Sequence, residues 1–368
     1  MTKQIHIVAL DVPYPADYGG AIDMYYRIKA LSNLGYDIHL HCFEYGRGKQ
    51  DHLNTLCKNV IYYKRKKSIF NFLKKSPFIV NTRANSELLE NLKSIDAPII
   101  FEGLHSTYFL DHEGLKGRTR IVRTHNIEHE YYAHLASQST GWKAKFFQSE
   151  SKKLAKYESK LSSASCIWTI KAGDQAYFSR YTRNSYILHP CIALSNTEAS
   201  LETKSYVLFQ GNLSVPENDQ AVRWLCSEVF SYSDHQFIVA GKNPSENLIN
   251  TVEQQGGSLI ANPSHEKMSE LINKARIHVL WTQQSTGVKL KLIRALQSNG
   301  HVLVNSLMVE GTDLAPICNV LNDPKEWKEA IDHKIKYPLE SHAHDHRVKH
   351  LTEVFNAEKN LKRLLEKL

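Results

Sequence analysis

Short runs of apolar, largely β-branched residues recur from one end of the chain to the other. Between them, apolar residues return at the helical spacing i, i+3, i+4. This alternation is the pattern of parallel sheets joined by crossover helices. Strands are expected near Ile5–Leu10, Ile38–Phe43, Val60–Tyr63, Ile99–Phe101, Arg120–Arg123 and Cys166–Ile170. A second series is expected near Tyr206–Phe209, Gln236–Ala240, Ser258–Ile260, Ile277–Trp281 and Val302–Asn305. Between the two lies Pro190–Lys204, polar and without a clear period, which reads as an interdomain linker. The pattern predicts an α/β chain of two Rossmann-like, doubly wound parallel-sheet domains, 1–190 and 205–340, joined by a linker at 191–204. Val348, Leu351, Val354, Phe355, Leu361, Leu364 and Leu365 then mark an amphipathic helix in 341–368 that closes the chain by packing on the first domain.

Composition narrows the class. The 368 residues are 42% apolar and 23% charged, as in an ordinary globular protein. No apolar run nears the roughly 18 residues that cross a bilayer, and no long signal-type segment opens the chain, so a cytoplasmic location is expected. The six cysteines lie far apart without a C-x-x-C pair, which favours buried reduced thiols over disulfides or a zinc site. The net charge of +8 is spread along the chain except at 64–75, where cations interleave with Ile69, Phe70, Phe72 and Leu73. That segment fits either a peripheral contact with an anionic membrane or a solvated amphipathic helix. A nucleic-acid partner is not expected, since no aromatic-and-basic stripe of the kind single strands require is evident. The His-rich 341–346 reads as a surface loop rather than a metal site.

The most informative stretch is Ser285–Leu296, which opens a helix with cations where a helix prefers anions. Thr286 is a fair N-cap, but the capping-box position that favours Glu or Gln holds Lys289. Val288, Leu292, Ile293, Ala295 and Leu296 share one arc, with Lys289 inside it and Lys291 and Arg294 outside. A partly buried ammonium needs a partner, and a phosphate held by the N–H groups of Gly287 and Val288 would supply one. The competing reading is a solvated lysine on a helix that begins a turn later.

Three other loops follow strands, where ligands bind in open parallel sheets. Gly19-Gly20 lets backbone N–H groups approach an anion, although the loop is not G-x-G-x-x-G. The segment 123–132 packs hydrogen-bonding groups at a strand end, with His125, Asn126 and Glu128 suited to sugar hydroxyls. Gly211 and Asn212 open the second series as the glycine pair opens the first, and Lys242 ends its next strand. Turn glycines and an ordinary helix cap are the bland alternatives at these places.

Together these segments resemble the retaining glycosyltransferases of the GT-B superfamily, family four, in which two Rossmann-like lobes face across a nucleotide-sugar cleft. The resemblance rests on Tyr18-Gly19-Gly20-Ala21, Arg123–Glu128, Phe209-Gln210-Gly211-Asn212 and Ser285–Lys291. It implies a nucleotide-diphosphate sugar donor, a glycan or lipid-linked acceptor, retention of configuration and no cofactor or metal. It further implies that Gly19 and Gly20 face the donor diphosphate, that His125 lies near the transferred sugar, and that Gly287, Val288 and Lys289 hold the distal phosphate. The family's two glutamates seven residues apart fall here on Thr286 and Arg294, and a basic pair in the Gly211 loop is replaced by Asn212 and Glu217-Asn218. Lys289, with Lys242 or Arg294, would then neutralise the leaving diphosphate. A nucleotide-sugar epimerase or phosphorylase, or a non-catalytic binder of a nucleotide sugar or glycan, remain the alternatives, and the oligomeric state is open.

Overall fold

The computed structural model describes residues 3–68, 70–194, 203–231, 233–285 and 289–368. The chain divides into two compact units, one of Met1–Ala193 with Phe355–Leu368 and one of Leu194–Val354. Much of the expected linker, 195–202, lies outside the described residues, while Cys191 is buried within the first unit and Lys204 starts a strand of the second.

The first unit holds β1 (Lys3–Ala9), β2 (Tyr36–Glu44), β3 (Asn59–Lys64), β4 (Ile99–Glu102), β5 (Arg120–Arg123), β6 (Cys166–Thr169) and β7 (Ser185–Ile187). All pair in parallel, in the order β3-β2-β1-β4-β5-β6-β7. The order reverses direction between β1 and β4, which puts a crevice beyond the carboxyl ends of those two strands. The second unit holds β8 (Lys204–Asn212), β9 (Phe237–Lys242), β10 (Ser258–Ala261), β11 (Ala275–Leu280), β12 (His301–Val304) and β13 (Asn319–Val320). These are also parallel, in the order β10-β9-β8-β11-β12-β13, with the switch between β8 and β11.

The strands read as apolar runs because both faces of each sheet are covered. In the first unit Ile5, Ile7, Ala9, Ile38, Leu40 and Cys42 point to one core, and Val8, Phe43, Ile99, Phe101 and Val122 to the other. All six cysteines are free, five of them buried. The expected single closing helix is two helices, Ser341–Val354 and Ala357–Leu365. Phe355 is buried and Asn356 caps the second helix by accepting from the Lys359 N–H, which ends one helix and starts the other. Leu361 and Leu364 of the last helix fill the first unit's core. The His-rich 341–346 lies in the earlier helix rather than in a loop, because buried Arg347 ties that helix to the carbonyls of Ser298 and Gly300.

The first sheet also buries an uncharged histidine chain. His6 Nε2 lies 3.1 Å from the Ile95 carbonyl, so it carries the proton and Nδ1 accepts from His41 Nε2 at 2.9 Å. His41 Nδ1 in turn accepts from the Tyr63 hydroxyl at 2.9 Å, which accepts from Asn91. Burial lowers His6 to about 4 and His41 to about 3, and in the second unit it lowers His278 to about 3 and His301 to about 4. Unfolding lets each ring protonate near its ordinary 6.5, so the folded state binds fewer protons below that pH. The rings' contribution to stability is therefore full above pH 6.5 and falls as pH drops towards 4, each removing about 1.4 kcal/mol per pH unit, while buried Glu128 and Asp174, whose carboxyls are pushed up to about 8 and about 6, oppose part of that fall. Urea unfolding at pH 7, 6 and 5 measures this, and His41→Leu should flatten the slope; equal stability at all three pH values would contradict it.

Candidate functional site

In the first unit, β1 runs into a loop and then the 15-residue helix Gly19–Asn33, whose buried face carries two charged residues one turn apart, Asp23 and Arg27. β4 ends on Glu102 and β5 on Arg123, both fully buried. Arg27 donates to both oxygens of Glu102, at 3.0 and 2.6 Å, and to Asp23 at 3.0 Å. Arg123 donates to the same Asp23 oxygen at 3.1 Å and to the carbonyls of Thr169 and Leu188. The Cys191 N–H meets the other Asp23 oxygen at 2.7 Å. Burial alone would raise the Asp23 carboxyl, but Arg123 and Arg27 outweigh it and hold the group well below the usual range. Glu102 is lowered in the same way against its burial by Arg27 and His125. Two carboxylates and two guanidiniums thus balance in a dry site.

His125 lies on this network with its side chain 13% exposed. Its Nε2 is 3.2 Å from Glu102 Oε2, and a carboxylate only accepts, so Nε2 carries the proton. Nδ1 stands 3.8 Å from Asp23 Oδ2. Gly103 turns the chain at φ +67°, and a Cβ there would crowd His105 at 3.0 Å and Leu10 at 3.2 Å, while His125 would stand at an ordinary contact distance of 3.7 Å. Asn126 is half-buried beside it. Glu128 is buried at the start of the helix Glu128–Ser137, where burial and nearby Glu158 push its carboxyl up to about 8 against Arg83. It is therefore a neutral acid at pH 7, with His105 Nδ1 3.9 Å away. Gly19 and Gly20 form the first turn of their helix, and Tyr18 at the N-cap makes no side-chain cap, which leaves that end without a side-chain acceptor.

In the second unit the helix expected from Thr286 begins at Leu290, with Lys289 as its N-cap residue. Thr286, Gly287 and Val288 lie outside the described residues. The late start does not leave Lys289 solvated. Its side chain is 13% exposed and its ammonium sits 2.9 Å from Oε1 of Glu217, on the helix Pro216–Trp224. Glu217 also accepts from the hydroxyl of Thr282 and the amide of Gln284. Burial would raise this carboxyl, but Lys289 and those donors lower it. The ammonium's partner here is an internal carboxylate.

Lys291, expected outside the apolar arc, is drawn inward. Its ammonium donates to Asn218 Oδ1 at 2.7 Å and lies 4.9 Å from the centre of the Phe209 ring, so its stem runs over β8. Burial and neighbouring Lys289 lower it to about 8, with Glu217 opposing. Asn218 is set by Gly211, where a Cβ would stand 3.0 Å from its amide, and by its donation to the Asn212 carbonyl at 2.8 Å. Gly241 is obligatory, because a Cβ there would come within 1.9 Å of the Gly211 carbonyl. Lys242, at the exposed end of β9, accepts the Leu213 N–H on its carbonyl. Arg294 is exposed and reaches Ser269 of the helix His265–Lys274 at 3.3 Å. Among the described residues, no three His, Cys, Asp or Glu side chains group as metal ligands.

Solved structures share this architecture across nearly the whole chain. Sucrose-phosphate synthase from Thermosynechococcus elongatus aligns with 99% of this chain and 98% of its own at a TM-score of 0.69 and 11% identity. TarM aligns with 100% and 98% at 0.70 and 11%. The chain has the GT-B fold. Anabaena HepE, solved in complex with UDP and glucose, covers all of both chains at 0.64 and 9%. In sequence, the chain is 27% identical to an uncharacterized 44.6 kDa protein in the cps region of Klebsiella pneumoniae, over 84% of each. No protein-family model matches it.

Sequence reasoning missed Asp23, Arg27, Glu102, Glu217 and the burial of Lys291. A signal was present for the first two, an acid and an arginine four residues apart on an otherwise apolar helix face. Removing one charge of the buried four should be costly. Glu102→Gln leaves two guanidiniums facing one carboxylate, and a loss of about 3–5 kcal/mol is expected in urea unfolding. A loss below about 1 kcal/mol would show that the four charges are not coupled.

Proposed function

We propose that this chain transfers a hexosyl group from a nucleotide-diphosphate sugar to a hydroxyl of a glycan or lipid-linked acceptor, with retention of configuration and without a metal. One observation carries the reading: at the switch point of the second sheet, two ammonium groups, Lys289 and Lys291, face a single described carboxylate, Glu217. That surplus of one positive charge suits a leaving diphosphate. In the transfer, the bond between the anomeric carbon and the phosphate oxygen breaks, the acceptor oxygen takes its place on the same face, and the acceptor proton passes to the diphosphate. Lys289 exchanges Glu217 for a phosphate oxygen and Lys291 supports it from β8, acting as preorganised donors to charge that grows in the transition state. Glu217, still held by Thr282 on Oε1 and by Gln284 on Oε2, then offers the Oε1 lone pair that Lys289 released to a donor hydroxyl. It offers the carboxylate that Thr286 and Arg294 do not.

The GT-B fold and the cps-region relative support this reading, as does the UDP bound by a structural neighbour. Thr286 and Arg294 support a second reading, a non-catalytic binder of the same ligand. Calorimetric titration with UDP, GDP and ADP, followed by turnover assays with the matching sugar nucleotides, separates the two; binding without sugar release or transfer would favour the binder. Lys289→Ala and Lys291→Ala should each lower kcat by about 100-fold or more. Turnover near normal in Lys289→Ala would refute the assignment. Activity should also fall above pH 8 as Lys291 loses its proton, and Lys291→Ala should abolish that limb of the profile.

A further inference from the structure

The segment from Lys64 to Ser86 contains no aspartate or glutamate, and neither does Tyr131 to Ser149. In the first unit the fold brings these two stretches together. Phe72 stacks on Phe78 with ring centres 4.3 Å apart, and both meet Phe146 of the helix Gly141–Tyr157 at 5.4 and 6.3 Å. Lys153 donates to the Phe72 carbonyl at 2.8 Å, and buried Glu150 accepts the Phe78 N–H at 2.6 Å. The contact is therefore fixed by polar bonds as well as rings. It leaves Lys66, Lys67, Lys74, Lys75, Lys143 and Lys145 exposed, together with Phe72 at 43% and Trp142 at 80% exposure.

Water is a poor environment for an indole exposed to that degree, and a cluster of ammonium groups without acids is poorly matched to an uncharged partner. The boundary between the headgroups and acyl chains of an anionic bilayer satisfies both, because it takes an indole ring edge-deep and attracts lysines at its surface. We propose that this face docks the protein on an anionic lipid surface, with Trp142 and Phe72 entering the boundary and the lysines meeting lipid phosphates. Sequence pattern alone marks only the first half of the face; Trp142 and its two lysines join it through the Phe72–Phe78–Phe146 packing.

The test is sedimentation of the full chain, without donor or acceptor, with vesicles of phosphatidylcholine alone and of equal parts phosphatidylcholine and phosphatidylglycerol. Binding is expected to the mixed vesicles only, and to weaken as added salt shortens the screening length from about 30 Å to about 8 Å. Lys66→Glu/Lys67→Glu/Lys74→Glu/Lys75→Glu should weaken it roughly 100-fold or more, and Trp142→Ser roughly tenfold. The melting temperatures of both variants serve as the control for folding. Equal binding to both vesicles, no binding at low salt, or binding that neither variant alters would overturn the proposal. So would a dimer that Trp142→Ser dissolves, or retention by DNA without retention by vesicles. None of these outcomes bears on the sugar-transfer reading, since no substrate is present.

Discussion

Asp23, Arg27, Glu102 and Arg123 form the constraint on which the first unit's site depends. They come from one helix and two strand ends, and the sheet can close over them only if all four charges are mutually satisfied. Taking them from water costs several kcal/mol per ion, which their attraction and hydrogen bonds offset without a large surplus. The network's main effect is therefore positional. It locks the first turns of the helix after β1 against the ends of β4 and β5, and it presents Glu102 as a fixed acceptor to His125. An apolar cluster of the same volume could hold the strands, but it could not fix the imidazole's tautomer.

The second unit meets the same requirement by a different route. Its charges lie at a half-buried loop end, where two lysines share one carboxylate and the remaining lone pairs of Glu217 are taken by a hydroxyl and an amide. The close approach of β8 and β9 at Gly211 and Gly241 lets the Asn212 loop fold back, which sets Asn218 to receive Lys291. In the first unit balance gives rigidity. In the second, two ammonium groups face one carboxylate among the described residues, and this is the imbalance on which the proposed function rests.

How far the sequence anticipates this differs by element. The long strands such as β1 and β2 are legible because apolar runs buried on both faces leave a strong local pattern. β7 and β13, of three and two residues, carry too little pattern to register. The inverted charge at Lys289 was readable as a cation in need of a partner, since that follows from burial alone. The partner was not, because Glu217 lies 72 positions earlier and only the pairing of β8 with β11 brings the two together. For the same reason the face assigned to Lys291 from helical stepping was wrong. Stepping places a Cβ, whereas a four-carbon stem over Phe209 decides where the ammonium ends. Arg123 reads as the last residue of a strand and Glu102 as the residue just after one, and their pairing with a helix some 75 to 100 residues away leaves no local trace.

The Glu217–Lys289 pair also bears on how a ligand would enter. A carboxylate and a phosphate oxygen compete for the same ammonium, and in a half-buried site the exchange preserves charge pairing throughout. Holding Lys289 against Glu217 keeps the ammonium in place, at the expense of a competitor that an anionic ligand would have to displace. A diphosphate carries more charge than one carboxylate and would reach two lysines instead of one. A singly charged anion would lack both advantages, so under the proposed function the pair would favour a polyanion.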